Sequence, residues 1–336
     1  MKAIRTDREL ECPRVDAGLR ARGLELVTLP EGIPEEQLIL EVADAELLLM
    51  CYTPITERVL QAAPRLRGIV KYGVGIDAID IAAARRFHVP VVNIPDYAEE
   101  TVAEGAFALM IALARKLAPL HIEVQNAGWA WPVRHWLGHD LAGKTLGLIG
   151  VGRIGRSLAR MAGAGFRMRV FGFDPFVDGE DMRCAGVEKC DQLSDLLRMA
   201  DFISLHAVLN SDTQHLIGRE ELSAMKPSAV LINVSRGALV DETALVEALL
   251  SERIAGAGLD VFSQEPLFLA GHPMSRLFGL PNVLLTPHLT FYTHEAMERL
   301  EQETLERCDE ILEGRPVLVK SHDPRLRSQS NGVIFG

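Results

Sequence analysis

Three glycines, Gly150, Gly152 and Gly155, form a G-x-G-x-x-G directly after the apolar run Thr145–Ile149 and open a helical stretch over 154–162. Such a triplet is a weak signal alone; a preceding strand and a following helix are the context in which it holds a diphosphate. Gly150 permits the tight turn, Gly152 lets the backbone approach a pyrophosphate, and Gly155 allows helix to pack closely on strand. Free N–H groups and the dipole at the helix start, beside Arg153 and Ile154, favour negative charge there. Asp174 ends the run Arg169–Phe173, 174 − 155 = 19 residues beyond the last glycine, where a carboxylate accepts hydrogen bonds from ribose hydroxyls. The same acid repels a 2′-phosphate, and Pro175 and Phe176 bring no arginine to receive one. The expected cofactor is therefore NAD rather than NADP.

Further motifs follow the glycines in order: Val234-Ser235-Arg236-Gly237, Asp260-Val261-Phe262 leading to Glu265-Pro266, and Thr286-Pro287-His288. Upstream stand Tyr72-Gly73-Val74-Gly75-Ile76-Asp77 and Thr101-Val102-Ala103-Glu104. Taken together they cover nearly the whole chain, which resembles the D-isomer-specific 2-hydroxyacid dehydrogenases, a family that includes phosphoglycerate, glycerate, D-lactate and hydroxypyruvate-type enzymes. The resemblance implies interconversion of a D-2-hydroxy acid and its 2-keto acid, with Arg236, Glu265 and His288 as the catalytic set. Reducing a ketone takes a hydride at carbon and a proton at oxygen, and histidine is the usual group that titrates near neutral pH. A neighbouring carboxylate favours a protonated imidazole, the role the resemblance implies for Glu265. Arg236 follows the run Val230–Val234 at the carboxyl end of the expected sheet, where ligands bind. Its planar fork suits a carboxylate or keto oxygen. Singly, each has a bland reading as a surface ion pair, a solvated loop acid or a packing histidine; their joint order after a nucleotide motif sets those readings aside.

By the same resemblance, backbone N–H groups of the Gly73-Val74-Gly75 loop bind the substrate carboxylate, an arrangement open to glycine-rich nests, with Lys71 and Tyr72 beside them. Ala207, Val208 and Thr213 line the cofactor together with Val234 and Ser235, and Asp260 lies near the nicotinamide. Lys71 resembles the basic residue with which phosphoglycerate dehydrogenases meet a distal phosphate; its bland reading is a surface lysine. Leu289-Thr290-Phe291-Tyr292-Thr293 departs from the family's more common glycine and alanine run and is similar to D-lactate dehydrogenases, with Tyr292 either lining the pocket or packing. Trp129, Trp131 and Trp136 fall where the family commonly pairs subunits, and aromatic anchors suit a homodimer interface as well as a core. Two other classes stay open: an NADH-sensing protein like the corepressors that keep this fold and the trio, and a formate dehydrogenase. The acidic charge argues against the first and Glu265 against the second.

The elements that must position these residues are legible as alternation. From Lys144 onward short apolar runs (Thr145–Ile149, Arg169–Phe173, Phe202–Leu205, Val230–Val234, Ala257–Val261, Val283–Thr286) alternate with amphipathic stretches, the mark of a parallel sheet flanked by helices. Asp241 is placed to cap a helix over 243–250, and Asp195 lies early in the turn before Asp201. Runs at Leu47–Met50, Gly68–Lys71 and Val89–Val92 predict a smaller unit of the same kind. Glu99–Leu117 reads as one long buried helix, Glu295–Glu313 as a charged helix, and the chain from Lys320 as a polar tail. The fold class expected is α/β, with two Rossmann-like or flavodoxin-like domains on doubly wound parallel sheets: a discontinuous substrate domain over 1–98 and 290–336, and an NAD-binding domain over 99–289, meeting across a hinge of helices.

A length of 336 residues suits two domains. A formal charge of −11 offers no footprint for nucleic acid. The longest apolar runs are too short for a membrane helix, and Met1–Glu11 lacks the apolar stretch of a secretory signal. The five cysteines are odd in number and scattered, which suits a reducing cytoplasm. The spacings of Cys184 with Cys190, and of His135 with His139, match no common metal pattern, so no metal is expected. The end soon after Lys320 leads us to expect none of the regulatory extension, or serine-type feedback, that some phosphoglycerate dehydrogenases carry. The partners expected are a small 2-hydroxy or 2-keto acid and a second copy of the chain, with neither nucleic acid nor membrane.

Overall fold

The computed structural model describes residues 1–267 and 271–336. The chain divides into two compact units, Met1–Ala98 with Thr293–Gly336, and Glu99–Tyr292. The second crossing thus falls after Tyr292 rather than after residue 289.

The first unit holds strands β1 (Lys2–Arg5), β2 (Glu25–Thr28), β3 (Leu47–Met50), β4 (Ile69–Lys71) and β5 (Val91–Asn93). They form a parallel sheet in the order β2-β1-β3-β4-β5. Its centre is dry: every side chain of β3 and β4 is buried, as expected of a parallel sheet covered on both faces. The helix His294–Leu312 belongs to this unit. Its Glu301 Oε2 accepts from the backbone N–H groups of Arg14 at 2.7 Å and Val15 at 3.2 Å.

The second unit holds β6 (Thr145–Ile149), β7 (Arg169–Phe173), β8 (Glu188–Lys189), β9 (Phe202–Leu205), β10 (Val230–Asn233), β11 (Gly256–Leu259) and β12 (Val283–Leu285). All seven run parallel in the order β12-β11-β10-β9-β6-β7-β8. The chain leaves β6 toward β7 and β8, then crosses back to β9 on β6's other side, so the strand order reverses at β6, where such sheets bind ligands beyond their carboxyl ends. Alternate residues feed two cores. Leu146 and Leu148 pack with Phe107, Leu109 and Leu158 on one face, while Ile149 joins Leu196, Leu205 and Leu245 on the other.

Several elements differ from the sequence reading. The long helix stops at Ala114; Lys116 takes a left-handed conformation (φ 51°), and a second helix, Leu117–Ala127, leaves at 55° with no buried residue. Among the described residues no single helix is long and apolar enough to cross a membrane. The tail after Lys320 is ordered into the helix Pro324–Arg327 and the strand β14 (Val333–Phe335), which pairs in parallel with β13 (Val317–Val319) just before it.

Candidate active site

Most candidates of the second unit lie in the loops that leave the carboxyl ends of strands. The glycine turn follows β6, Asp174 follows β7, Ala207 and Val208 follow β9, Arg236 follows β10, Asp260 follows β11 and His288 follows β12. One edge of the sheet therefore collects them.

The glycines divide by what a side chain would meet. A Cβ at Gly150, which has φ +91°, would stand 2.6–2.8 Å from the backbone of His206 and Ala207, and one at Gly155 would stand 2.5 Å from the Gly150 carbonyl oxygen. Those two serve the fold. A Cβ at Gly152 meets nothing within 4 Å, so packing within the chain makes no demand for glycine at 152. The room lies at the N-terminus of the helix Arg153–Arg160, as a diphosphate requires. Asp174 accepts one backbone bond on each oxygen, from Val151 N–H on Oδ2 and Phe176 N–H on Oδ1, both at 2.9 Å. Each oxygen keeps lone pairs for a ribose hydroxyl. The residues present thus fit a dinucleotide. Arg153 pairs with Glu99 at 2.7 Å, and Ile154 is half-buried. Thr213 Oγ1 donates to the Val208 carbonyl at 2.7 Å and accepts the Asn210 N–H at 2.8 Å, closing the loop that leaves Val208 exposed. Ser235 Oγ donates to the Ala207 carbonyl at 2.7 Å, joining the β9 and β10 loops, while Val234 is buried.

The two residues expected to form the acid-base pair are brought together. His288 Nδ1 and Glu265 Oε2 are 2.8 Å apart, and Glu265 Oε1 accepts the Phe262 N–H at 2.9 Å. Burial pushes the Glu265 carboxyl up. The His288 hydrogen bond and charge, the Phe262 N–H and the Arg236 charge outweigh it and hold the group below the usual carboxylate range. Arg236 is half-buried, its turn braced by Asn233, whose side chain donates to the Arg236 carbonyl at 2.9 Å.

His288 itself sits at φ 56°, an uncommon conformation for a side-chain-bearing residue. Asp260 explains how it is kept there. Its carbonyl accepts the His288 N–H at 2.7 Å. Its carboxylate, with no exposed surface, accepts Thr286 Oγ1 (2.6 Å) and Leu289 N–H (3.0 Å) on Oδ1, and Thr290 N–H (3.1 Å) and Thr290 Oγ1 (2.7 Å) on Oδ2. Where the sequence suggested only proximity to the nicotinamide, Asp260 clamps the loop that carries the histidine. No spacing in the sequence foretells those four bonds.

In the first unit the glycine loop also differs in detail. The Gly73 N–H is bonded to the Lys71 carbonyl at 3.0 Å, so the amides that remain for an anion are those of Val74 and Gly75. Asn93, which the sequence reading passed over, steadies the loop by donating to the Val74 carbonyl at 2.6 Å. Lys71 is not a surface lysine: it is 4% exposed, with Nζ 3.0 Å from Cys51 Sγ and 5.4 Å from the Tyr52 ring centre. Nor is the Tyr72 side chain a substrate ligand. It is 1% exposed and its hydroxyl donates to the carbonyls of Thr6 and Asp7, because an aromatic ring this deep must also satisfy its polar end. Tyr292 is exposed and packs edge-on to Phe291.

Comparison with known proteins agrees with this geometry. Residues 107–290 match the NAD-binding domain of the D-isomer specific 2-hydroxyacid dehydrogenases. The chain is 40% identical to a glyoxylate reductase of Korarchaeum cryptofilum, over 88% of this chain and 90% of that one. It is 38% identical to a D-3-phosphoglycerate dehydrogenase of Methanocaldococcus jannaschii, over 86% of this chain but 54% of the relative. Among solved structures it is similar to a D-lactate dehydrogenase from Aquifex aeolicus complexed with NAD and lactic acid, with TM-score 0.83 and 31% identity over 93% and 96% of the two chains. The chain therefore belongs to the D-isomer specific 2-hydroxyacid dehydrogenases, oxidoreductases acting on the CH–OH group of D-2-hydroxy acids with NAD as cofactor.

Proposed function

We propose that this enzyme reduces a small, non-phosphorylated 2-keto acid of the glyoxylate or hydroxypyruvate type, with His288 as the proton donor. The observation that carries the reading is the 2.8 Å contact between His288 and Glu265, beyond the carboxyl end of the sheet and within the field of Arg236. When bound, the reduced nicotinamide supplies the hydride. His288 gives its proton to the carbonyl oxygen, and Glu265, held below the usual carboxylate range and so ionised, keeps the ring in line. Arg236 fixes the substrate by its carboxylate or keto oxygen and stabilises the charge that grows on oxygen during reduction. The Val74 and Gly75 amides are assigned to the substrate carboxylate, and the first unit is the substrate-binding one. The burial of Lys71 on Cys51 favours a small substrate over a phosphorylated one, because its ammonium is not offered to solvent. The similarity to glyoxylate reductases points the same way.

The exposed apolar side chains of the helix Leu117–Ala127 and of Trp129 and Trp131 support a homodimer. The five unpaired cysteines support the cytoplasm as its compartment.

The test is NADH oxidation by purified protein against glyoxylate, hydroxypyruvate, pyruvate, phosphohydroxypyruvate and phenylpyruvate, repeated with NADPH. The two small acids are expected to turn over with NADH; preference for phosphohydroxypyruvate would reject the assignment of Lys71. His288→Ala should lower kcat by at least about 100-fold, as a lost acid-base group does, with the NADH dissociation constant little changed. Equal loss of both would remove His288 from its role.

A further inference from the structure

Glu242 is the first residue of the helix Glu242–Leu250 and is 9% exposed, yet no step of the reaction uses it. A carboxylate buried to that degree has to be compensated by hydrogen bonds. Capping the helix is not its task, since Asp241 already accepts the N–H groups of Thr243 at 3.0 Å and Ala244 at 3.1 Å. Instead both oxygens go to one residue: Oε1 accepts the Ser263 N–H at 2.6 Å and Oε2 the Ser263 hydroxyl at 2.5 Å. His272 backs the carboxylate, with Nε2 3.8 Å from Oε2. The other ring nitrogen, Nδ1, accepts the Met274 N–H at 3.1 Å, which leaves the neutral ring's proton on Nε2.

What Glu242 grips is the loop that carries the Glu265 carboxylate. Ser263 adjoins Phe262, the N–H donor to Glu265. From the opposite direction Gly237, the residue after Arg236, is pressed onto the same segment: a Cβ there would lie 1.9 Å from the Phe262 carbonyl carbon and 2.2 Å from the Ser263 nitrogen. Phe262–Ser263 is thus held at once by the turn that carries Arg236 and by Glu242, a few residues further along. We infer that Glu242 is a positioning residue, which through its two bonds to Ser263 fixes the loop that aims Glu265 at His288 and keeps that loop against the Arg236 turn.

This rests on the acid-base reading above, and the experiment separates the two. Glu242→Gln replaces a two-fold acceptor by a group with only one acceptor oxygen, and Ser263→Ala removes one of the two bonds. The Glu265 carboxyl is followed by 13C NMR on glutamate-labelled protein, its signal assigned by its absence in Glu265→Gln. The groups that face Glu265 are His288, Arg236 and the Phe262 N–H. As the loop loosens and these contacts lengthen, the midpoint of Glu265 should rise toward the ordinary carboxylate range in Glu242→Gln and less so in Ser263→Ala. Turnover of the keto acid should fall about tenfold in Glu242→Gln, the effect of one charged hydrogen bond, while NADH affinity, read by fluorescence, stays within about twofold. A midpoint unmoved in both variants while they melt as folded proteins overturns the inference, as does a loss of NADH affinity in step with turnover. If no keto acid of the panel is turned over, the acid-base reading fails, and the NMR titration still decides the role of Glu242.

Discussion

A histidine outside the catalytic set shows how tightly the second unit controls charge. His206 follows β9 and lies against the glycine turn; the backbone around it is what a Cβ at Gly150 would strike. Its Nε2 meets Ser204 Oγ at 2.9 Å, and its buried Nδ1 has no partner among the described residues. Burial lowers its pKa from 6.5 to about 4, so the ring stays neutral in the fold. The unfolded chain takes up this proton below pH 6.5 and the folded chain only near 4. Stability is therefore lost as pH falls from 6.5 toward 4, by linkage. The difference amounts to about 2 kcal/mol between pH 7 and pH 4.5. Urea unfolding at the two pH values should show that His206→Gln, which cannot titrate there, loses less stability on acidification than the wild type by about this amount. Parallel losses would mean that the ring is solvated. Glu265 adds to the acid sensitivity: its carboxyl lies below the usual range, so its contribution is present above the unfolded value and is lost as pH falls through the folded one.

At the scale of elements, the glycine turn is the least forgiving. Gly155→Ala would bring a Cβ to 2.5 Å from the Gly150 oxygen, and close-packed interiors do not absorb such an overlap without moving backbone. The turn would open, and NADH affinity should fall at least about tenfold; unchanged affinity, measured by fluorescence titration, would detach the turn from cofactor binding. That turn was legible in the sequence because its strand is. Thr145–Ile149, Arg169–Phe173 and Phe202–Leu205 match their apolar runs to the residue; the first and third are buried on both faces, which needs an unbroken run, while Arg169–Phe173 fully buries only Val170 and Gly172. Lys2–Arg5 and Glu25–Thr28 were missed because each holds only two apolar residues in a row, and Glu188–Lys189 because both its side chains are exposed. The break at Lys116 does have a sequence signal, Pro119 in the first turn of the second helix, which has no N–H to donate back to Arg115 and so cannot continue the helix Glu99–Ala114. The pairing of His288 with Glu265 was legible because each stands in a recognisable motif. The bonds of Asp260 to Thr290 and of Glu242 to Ser263 join segments remote in sequence, and nothing local encodes such closure.

At the scale of the whole molecule, each unit carries its own core, and the chain completes the first unit only by returning with the helix His294–Leu312 after building the second. What neither core accounts for is the helix Leu117–Ala127. Leu117, Ile122 and Val124 are exposed, and so are Trp129, Trp131, Val133 and Leu137 just beyond. Trp129 and Trp131 pack edge to face at 6.4 Å and remain 62% and 74% exposed. So many large apolar side chains exposed within about twenty residues suit an interaction site better than a monomer's skin, and tryptophan is among the residue types enriched in binding hot spots. A second copy of the chain is the occupant our reading assigns. Ile122→Glu with Trp131→Ala alters only exposed positions, so monomer stability should change by no more than about 0.5 kcal/mol per site. Sedimentation velocity at micromolar concentration should give about 74 kDa for the wild type, twice the 36.9 kDa chain, and a monomer for the double variant. A wild type that sediments as a monomer would leave this apolar surface to another partner, while a double variant that still dimerises would move the interface to some other face.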